Sequence, residues 1–62
     1  MGENNVAFWR WPKVKQTVNL GRTTVFLMYK DGRFPKPYKI GKNSIAWRSD
    51  EVMEWIQARE RA

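Results

Sequence analysis

The 62-residue chain contains neither cysteine nor histidine. Lacking cysteine, it can form no disulfide framework and no thiolate metal site, a composition that fits a reducing cytosol. With both residues missing, the usual general bases, thiol nucleophiles and zinc ligands are gone. Most of the acids gather near the end of the chain, where Asp50 and Glu51 suit a helix start and Glu54 an exposed helix face. There is no glycine-rich phosphate loop. Catalysis is therefore not expected, nor is a metal or cofactor. The apolar runs are a few residues long, far below the roughly 20 that cross a bilayer, and no charged-then-apolar leader opens the chain. Val6 stands where a myristoylation signal beginning at Met1-Gly2 would need serine or threonine. A soluble, cytoplasmic protein without a membrane partner is expected.

What is abundant is aromatic bulk and positive charge. Four Trp, three Phe and two Tyr make up 15% of the chain, and each ring can bury on the order of 150 to 250 Å². That compensates for small size, since a domain of this length buries only about 60% of the surface its unfolded chain exposes. Lys and Arg number 12 against 6 acids, for a net charge of +6 and a pI near 10.2. In so small a domain this balance points to a polyanionic partner.

Two parts are expected: a flexible or partly packed segment over residues 1–9, and one folded domain over residues 10–62. Met1 to Asn5 is polar and aperiodic, which reads as a frayed start, whereas Val6 to Trp11 is aromatic enough to pack on the domain. Pro12 suits the first turn of a helix, and Val14 and Val18 recur on one face of it. Asn19 tolerates the left-handed conformation that ends a helix, and Leu20-Gly21 supplies a buried residue and an N-cap. Arg22 to Lys30 then reads as a second helix. Val25, Met28 and Tyr29 share its inner face, while Thr23, Phe26, Leu27 and Lys30 share the opposite one. Asp31-Gly32 ends it. Two short helices joined by about three residues have helix-turn-helix spacing.

The RFPKPYK run from Arg33 to Lys39 holds two prolines, which exclude helix and permit an edge strand or extended arm. Tyr38 and Ile40 alternate, as do Ile45 and Trp47, and the GKNS stretch between them is turn chemistry, so a small hairpin is expected. Ser49 reads as an N-cap for a last amphipathic helix carrying Val52, Trp55 and Ile56 as its stripe. The predicted fold class is α+β, mostly helical: a winged helix-turn-helix of two short helices, a two-stranded hairpin wing and a C-terminal helix.

Charge is segregated along this order. Lys30 to Arg48 holds six basic residues against Asp31 alone, for +5; Met1 to Tyr29 carries +3 and Ser49 to Ala62 carries −2. The hairpin is the electropositive element, and the last helix is expected to face away from a polyanion. A helix-turn-helix beside a basic hairpin matches a geometry in which one helix enters the major groove and the wing meets phosphate or minor groove.

Over Arg10 to about Ala58, in RWPKVKQTVNLGRTTVFLMYKDGRFPKPYKIGKNSIAWRSDEVMEWIQ and the residue beyond it, the sequence resembles the AlpA family of phage and prophage regulators, relatives of small excisionases with a MerR-like winged fold. The specific parts are the Thr-rich start of the second helix, DGRFPKP, and Ala-Trp-Arg before an acidic helix with Glu-Trp-Ile. The resemblance implies a DNA-binding regulator of a mobile element, one that activates integrase or related genes or promotes excision by bending attachment-site DNA. By position it implies that Arg22, Thr23 and Thr24 open the recognition helix, Lys30 closes it, and Lys36, Lys39 and Lys42 belong to the wing. Gly21 replaces the family's usual Ser N-cap, Val18-Asn19 its Thr-Gly turn, and Phe26-Leu27 its common Tyr-Arg.

The candidate DNA contacts are Arg22, Thr23, Thr24, Phe26, Leu27 and Lys30 on the helix, with Arg33, Lys36, Lys39, Lys42 and Asn43 on the wing and its flanks. Arg22 can read guanine bidentately or hold a phosphate. Thr23 and Thr24 can contact phosphate or base, or help start the helix beside Gly21. Phe26 and Leu27 can meet thymine methyl groups, pack on a neighbouring protomer, or in one case fold back on the core. Trp47 and Trp55 are assigned to packing, Trp11 to the first helix, and Trp9 to core cover or a contact surface. The expected partner is double-stranded DNA, with self-association on repeated sites and an integrase as further partners. A single recognition helix and wing offer only the lower end of the roughly 600 to 1,000 Å² typical of one module. Two alternatives carry different tests: a small RNA-binding or ribosome-associated protein, and an interaction module for an acidic protein.

Overall fold

The computed structural model describes residues 5–62, so the readings made on Met1-Gly2 and on most of the Met1–Asn5 start lie outside the described residues. The order is β1 (Phe8–Trp9), α1 (Trp11–Val18), α2 (Arg22–Lys30), β2 (Tyr38–Gly41), β3 (Ser44–Arg48) and α3 (Ser49–Gln57). Each helix boundary has a local cause. Pro12 sits in the first turn of α1, and Asn19 closes that helix at φ 59°, ψ 39°, its N–H donating to the Lys15 carbonyl. Gly21, in extended conformation, is the N-cap of α2. That helix ends in a Schellman motif: the Gly32 N–H donates to the Tyr29 carbonyl and the Arg33 N–H to that of Met28, with Gly32 at φ 82°. A side chain at Gly32 would be strained there, which is why Asp31-Gly32 stops the helix where it does.

The hairpin is present, and it is not alone. β3 is the centre of a three-stranded antiparallel sheet of order β1-β3-β2. Lys42-Asn43 forms the two-residue turn between paired Gly41 and Ser44, with a register irregularity between Lys39 and Gly41. On the other side of β3, Phe8 pairs with Arg48 and Trp9 with Trp47. The two-stranded hairpin expected after α2 is present, and β1, which lies in the segment read as flexible or partly packed, adds a third strand to it. Its cause is tertiary. The Ala7 N–H donates to Ser49 Oγ at 2.9 Å, and the Ser49 N–H donates to the Ala7 carbonyl at 2.8 Å. Ser49 is thus not a side-chain cap for α3, which has none. Its hydroxyl satisfies the strand instead, and Asp50 in the first turn accepts from the Glu51 N–H.

The core is Val14 of α1, Val25 of α2, Phe34 of the connecting arm, Ala46 and Trp47 of β3, and Val52 of α3. Trp47 is fully buried, and the rings of Trp11, Phe26 and Tyr29 lie 6.1 to 6.3 Å from its own, distances typical of favourable edge and tilted pairs. Two indole N–H groups pin the proline-rich arm. Trp47 Nε1 donates to the Pro35 carbonyl at 2.9 Å and Trp55 Nε1 to the Arg33 carbonyl at 2.8 Å. The arm cannot form a ladder of its own with prolines at positions 35 and 37, so these bonds answer its carbonyls. The packing roles expected of Trp11, Trp47 and Trp55 hold, while half-buried Trp9 lies beside the Lys13 ammonium, 5.3 Å from its ring centroid.

Candidate nucleic-acid interface

Because Val25 is turned wholly into the core, the 100° step of the helix turns Thr23, Leu27 and Lys30 outward. Arg22 and Thr24 flank that face, and all five are exposed. Phe26 does not join them. It is half-buried against Trp11, Tyr29 and Trp47, with ring centroids at 6.3, 5.1 and 6.2 Å, so its expected place on the outward face is corrected. The reason is angular: Phe26 lies only about 60° around the helix from inward-facing Tyr29, within reach of the aromatic cluster. Leu27 remains outside, at 60% the most exposed of the large hydrophobic side chains described.

Phe26 also supports its neighbour. The Arg22 guanidinium sits 5.2 Å from the Phe26 ring centroid, a cation–π arrangement that costs the guanidinium none of its donors. Buried aromatics thus fix Phe26, and Phe26 gives the exposed Arg22 a surface to lie on. A concave site of about 340 Å³ opens at this point, lined by Arg10, Arg22, Phe26, Asn43, Ile45 and Trp47 among others. The start of α2 and the hairpin turn, 21 positions apart in sequence, meet at one groove. Arg10, which the sequence reading does not single out, is the third polar member. Its only sequence signal is its place just before Pro12.

The basic residues divide into paired and unpaired sets. Among the described residues the salt bridges are Arg33–Asp31 at 3.0 Å and Arg48–Asp50 at 2.9 Å. Arg33 therefore brings less net charge to the wing than its position suggests. Arg10, Arg22, Lys30, Lys36, Lys39 and Lys42 are in neither bridge, and all are exposed. The acids of α3 are engaged at its first turn. Asp50 holds Arg48 through two hydrogen bonds, and Glu51 accepts from the Tyr38 hydroxyl at 2.8 Å. The bond to Glu51 raises the Tyr38 pKa, and Asp50 raises that of Arg48. Tyr38 thereby ties β2 to α3 and steadies the base of the hairpin. No helix among the described residues is long and apolar enough to cross a membrane, and the described residues contain no group of three or more acids that could hold a metal.

Two helices in helix-turn-helix spacing, with a basic hairpin beside the exposed second helix, define a winged helix-turn-helix domain. The chain belongs to the AlpA family of phage regulatory proteins: the family model described as prophage CP4-57 regulatory protein (AlpA) matches residues 7–60. The match begins at Ala7, inside the segment that Ser49 clips to the sheet. The chain is also 33% identical over 52 residues to the uncharacterized protein ORF88 of Enterobacteria phage P4, an alignment covering 84% of this chain and 59% of the phage protein. The chain thus spans about three fifths of that relative's length.

Proposed function

We propose that the protein binds duplex DNA sequence-specifically and regulates the mobile element that carries it, through transcription, excision or both. The observation that carries the reading is the convergence of Arg22, Asn43 and Arg10 on one groove, with Lys36, Lys39 and Lys42 of the arm and hairpin exposed and in neither salt bridge found among the described residues. In this reading α2 enters the major groove. Arg22 reaches guanine or phosphate, Thr23 and Thr24 contact the first turn's surroundings, and Lys30 meets phosphate at the far end. Lys36, Lys39, Lys42 and Asn43 hold the flanking backbone, with Arg33 a weaker contributor. Several copies bind repeated sites cooperatively, since one module offers little contact area, and an integrase is the partner in excision.

Gel shifts with duplexes from the encoding element's promoter and attachment sites test this directly. Tight, salt-dependent binding to those duplexes over unrelated ones is expected. Equal affinity for all duplexes at physiological salt would refute specificity. Tighter binding to single-stranded RNA would favour an RNA-binding role, and absence of salt-dependent DNA binding would favour an acidic protein partner. A promoter–reporter assay and an integrase-dependent excision assay separate the two regulatory roles. A footprinting titration checks cooperativity, which independent filling of adjacent sites would contradict.

A further inference from the structure

The outward face of α2 carries one feature that phosphate contacts do not explain. Thr23 and Lys30 are polar, yet Leu27 between them is 60% exposed, although the chain has aromatic and aliphatic partners within one helical turn on the inner side. We infer that Leu27 reads a thymine by packing on its 5-methyl group in the major groove; the inference rests on the duplex-binding reading above and deepens it. Two observations select this occupant. The surroundings are complementary to a polyanion, since Lys30 shares the face of the leucine, Arg22 opens the same helix, and neither is in an ion pair among the described residues. Moreover, Phe26 packs inward against Trp47 at 6.2 Å, which leaves Leu27 as the aliphatic surface this face presents.

The geometry also limits where the thymine lies. Side chains on a helix lean toward its N-terminus, so Leu27 covers surface over the Thr23 turn. Leu27 lies five positions after Arg22, about 7.5 Å of helix rise. With α2 lying along the groove, that rise corresponds to about two base steps of about 3.4 Å, which places the thymine near the base or phosphate that Arg22 contacts. Thymine carries a methyl on C5 in the major groove where cytosine carries only a hydrogen. An aliphatic side chain there favours the former without spending a hydrogen bond.

Replacing thymine by uracil removes only the methyl, so it isolates the contact. The probe is a duplex enriched from a randomised pool by the intact chain, with each thymine in the footprint changed singly to uracil. Affinities are read by fluorescence anisotropy at one salt concentration. At one thymine near the Arg22 contact the wild-type chain should lose about fourfold, the worth of one buried methyl-sized group. Leu27→Ala should bind the original duplex more weakly and show no further loss on the uracil duplex. Leu27→Met should restore most of the difference. Because Leu27 is exposed, both variants should keep the wild-type circular dichroism and melting midpoint. If wild type and Leu27→Ala respond identically at every thymine while duplex binding persists, Leu27 reads no methyl and the duplex reading stands. If Leu27→Ala loses cooperativity between adjacent sites with methyl dependence unchanged, the leucine packs on a neighbouring copy and the inference is overturned. If no duplex is enriched from the pool, both readings fall.

Discussion

Salt dependence gives the sharpest test of which cations meet DNA. Arg10, Arg22, Lys30, Lys36, Lys39 and Lys42 are exposed and outside the two salt bridges found among the described residues. Each phosphate neutralised releases counterions and contributes about −0.9 to the slope of log K against log salt. If four to six of these residues engage phosphate, the slope is about −3.6 to −5.4. Between 50 and 200 mM salt, affinity should then fall by roughly 150-fold to 2,000-fold. Lys42→Gln, at the hairpin turn, should lower the slope by about 0.9 and weaken binding alike on all sequences. Arg33→Gln should lower it by less, because Asp31 already holds the guanidinium at 3.0 Å. Arg59→Gln serves as the control outside the proposed contact set: its guanidinium lies 4.3 Å from the Trp55 ring centroid, beyond the end of α3. Fluorescence anisotropy across that salt range, on one duplex at fixed pH, measures all four proteins. A wild-type slope shallower than about −1, or an equal loss of slope in Arg59→Gln and Lys42→Gln, would refute the assignment of the hairpin as the phosphate-binding element.

Trp47→Phe removes an indole donor from the Pro35 carbonyl and leaves space in a site of zero exposure, so it should destabilise the domain by about 2 to 4 kcal/mol. That is a large share of the roughly 3 to 9 kcal/mol expected for a chain of this length, and a urea titration in which the midpoint barely moves would contradict it. Gly21→Ser places a capping hydroxyl where no atom lies within 4 Å of the added Cβ and the backbone is already extended; a gain of about 0.5 to 1 kcal/mol in thermal unfolding is expected. The Tyr38 phenol keeps its proton to higher pH in the folded state because of Glu51, so its effect on stability is flat below about pH 10 and becomes a loss as pH rises beyond it. Spectrophotometric titration should show a late-ionising component that disappears in Tyr38→Phe; a titration curve whose late part persists in Tyr38→Phe would argue against the bond.

Elements defined by local chemistry were legible from the residues alone. Pro12, Asn19 and Gly32 mark helix ends because backbone dihedrals decide those positions, and the turn chemistry of GKNS marks the hairpin, although β2 is exposed throughout and burial along β3 does not alternate. Distant partners decided what was not legible. A two-residue strand is too short to show any period, so β1 is visible only through its pairing with β3 and the bonds of the preceding Ala7 to Ser49. Ser49 carries an N-cap signature, yet its hydroxyl is taken by Ala7. Phe26 sits at the edge of the inner face, where a difference of tens of degrees separates a base contact from a core ring. The segregation of charge was legible, whereas its effective strength was not, since Asp31 and Asp50 each neutralise an arginine within reach.

The same geometry explains how so small a domain holds two contact elements in fixed relation. β3 follows directly from the hairpin turn at Lys42-Asn43, and it also carries Trp47. Trp47 packs on Phe26, and Phe26 supports Arg22. One buried ring therefore links the hairpin to the exposed start of α2 through two aromatic steps, with no flexible joint between them. Trp11 packs on both Trp47 and Phe26, which adds α1, and Arg10 before it, to the same unit. A core built from aliphatic side chains of equal total volume would bury comparable area but would give Arg22 no ring to lie against. The high aromatic content thus answers two needs at once: stability without disulfides, and placement of the groove-lining residues.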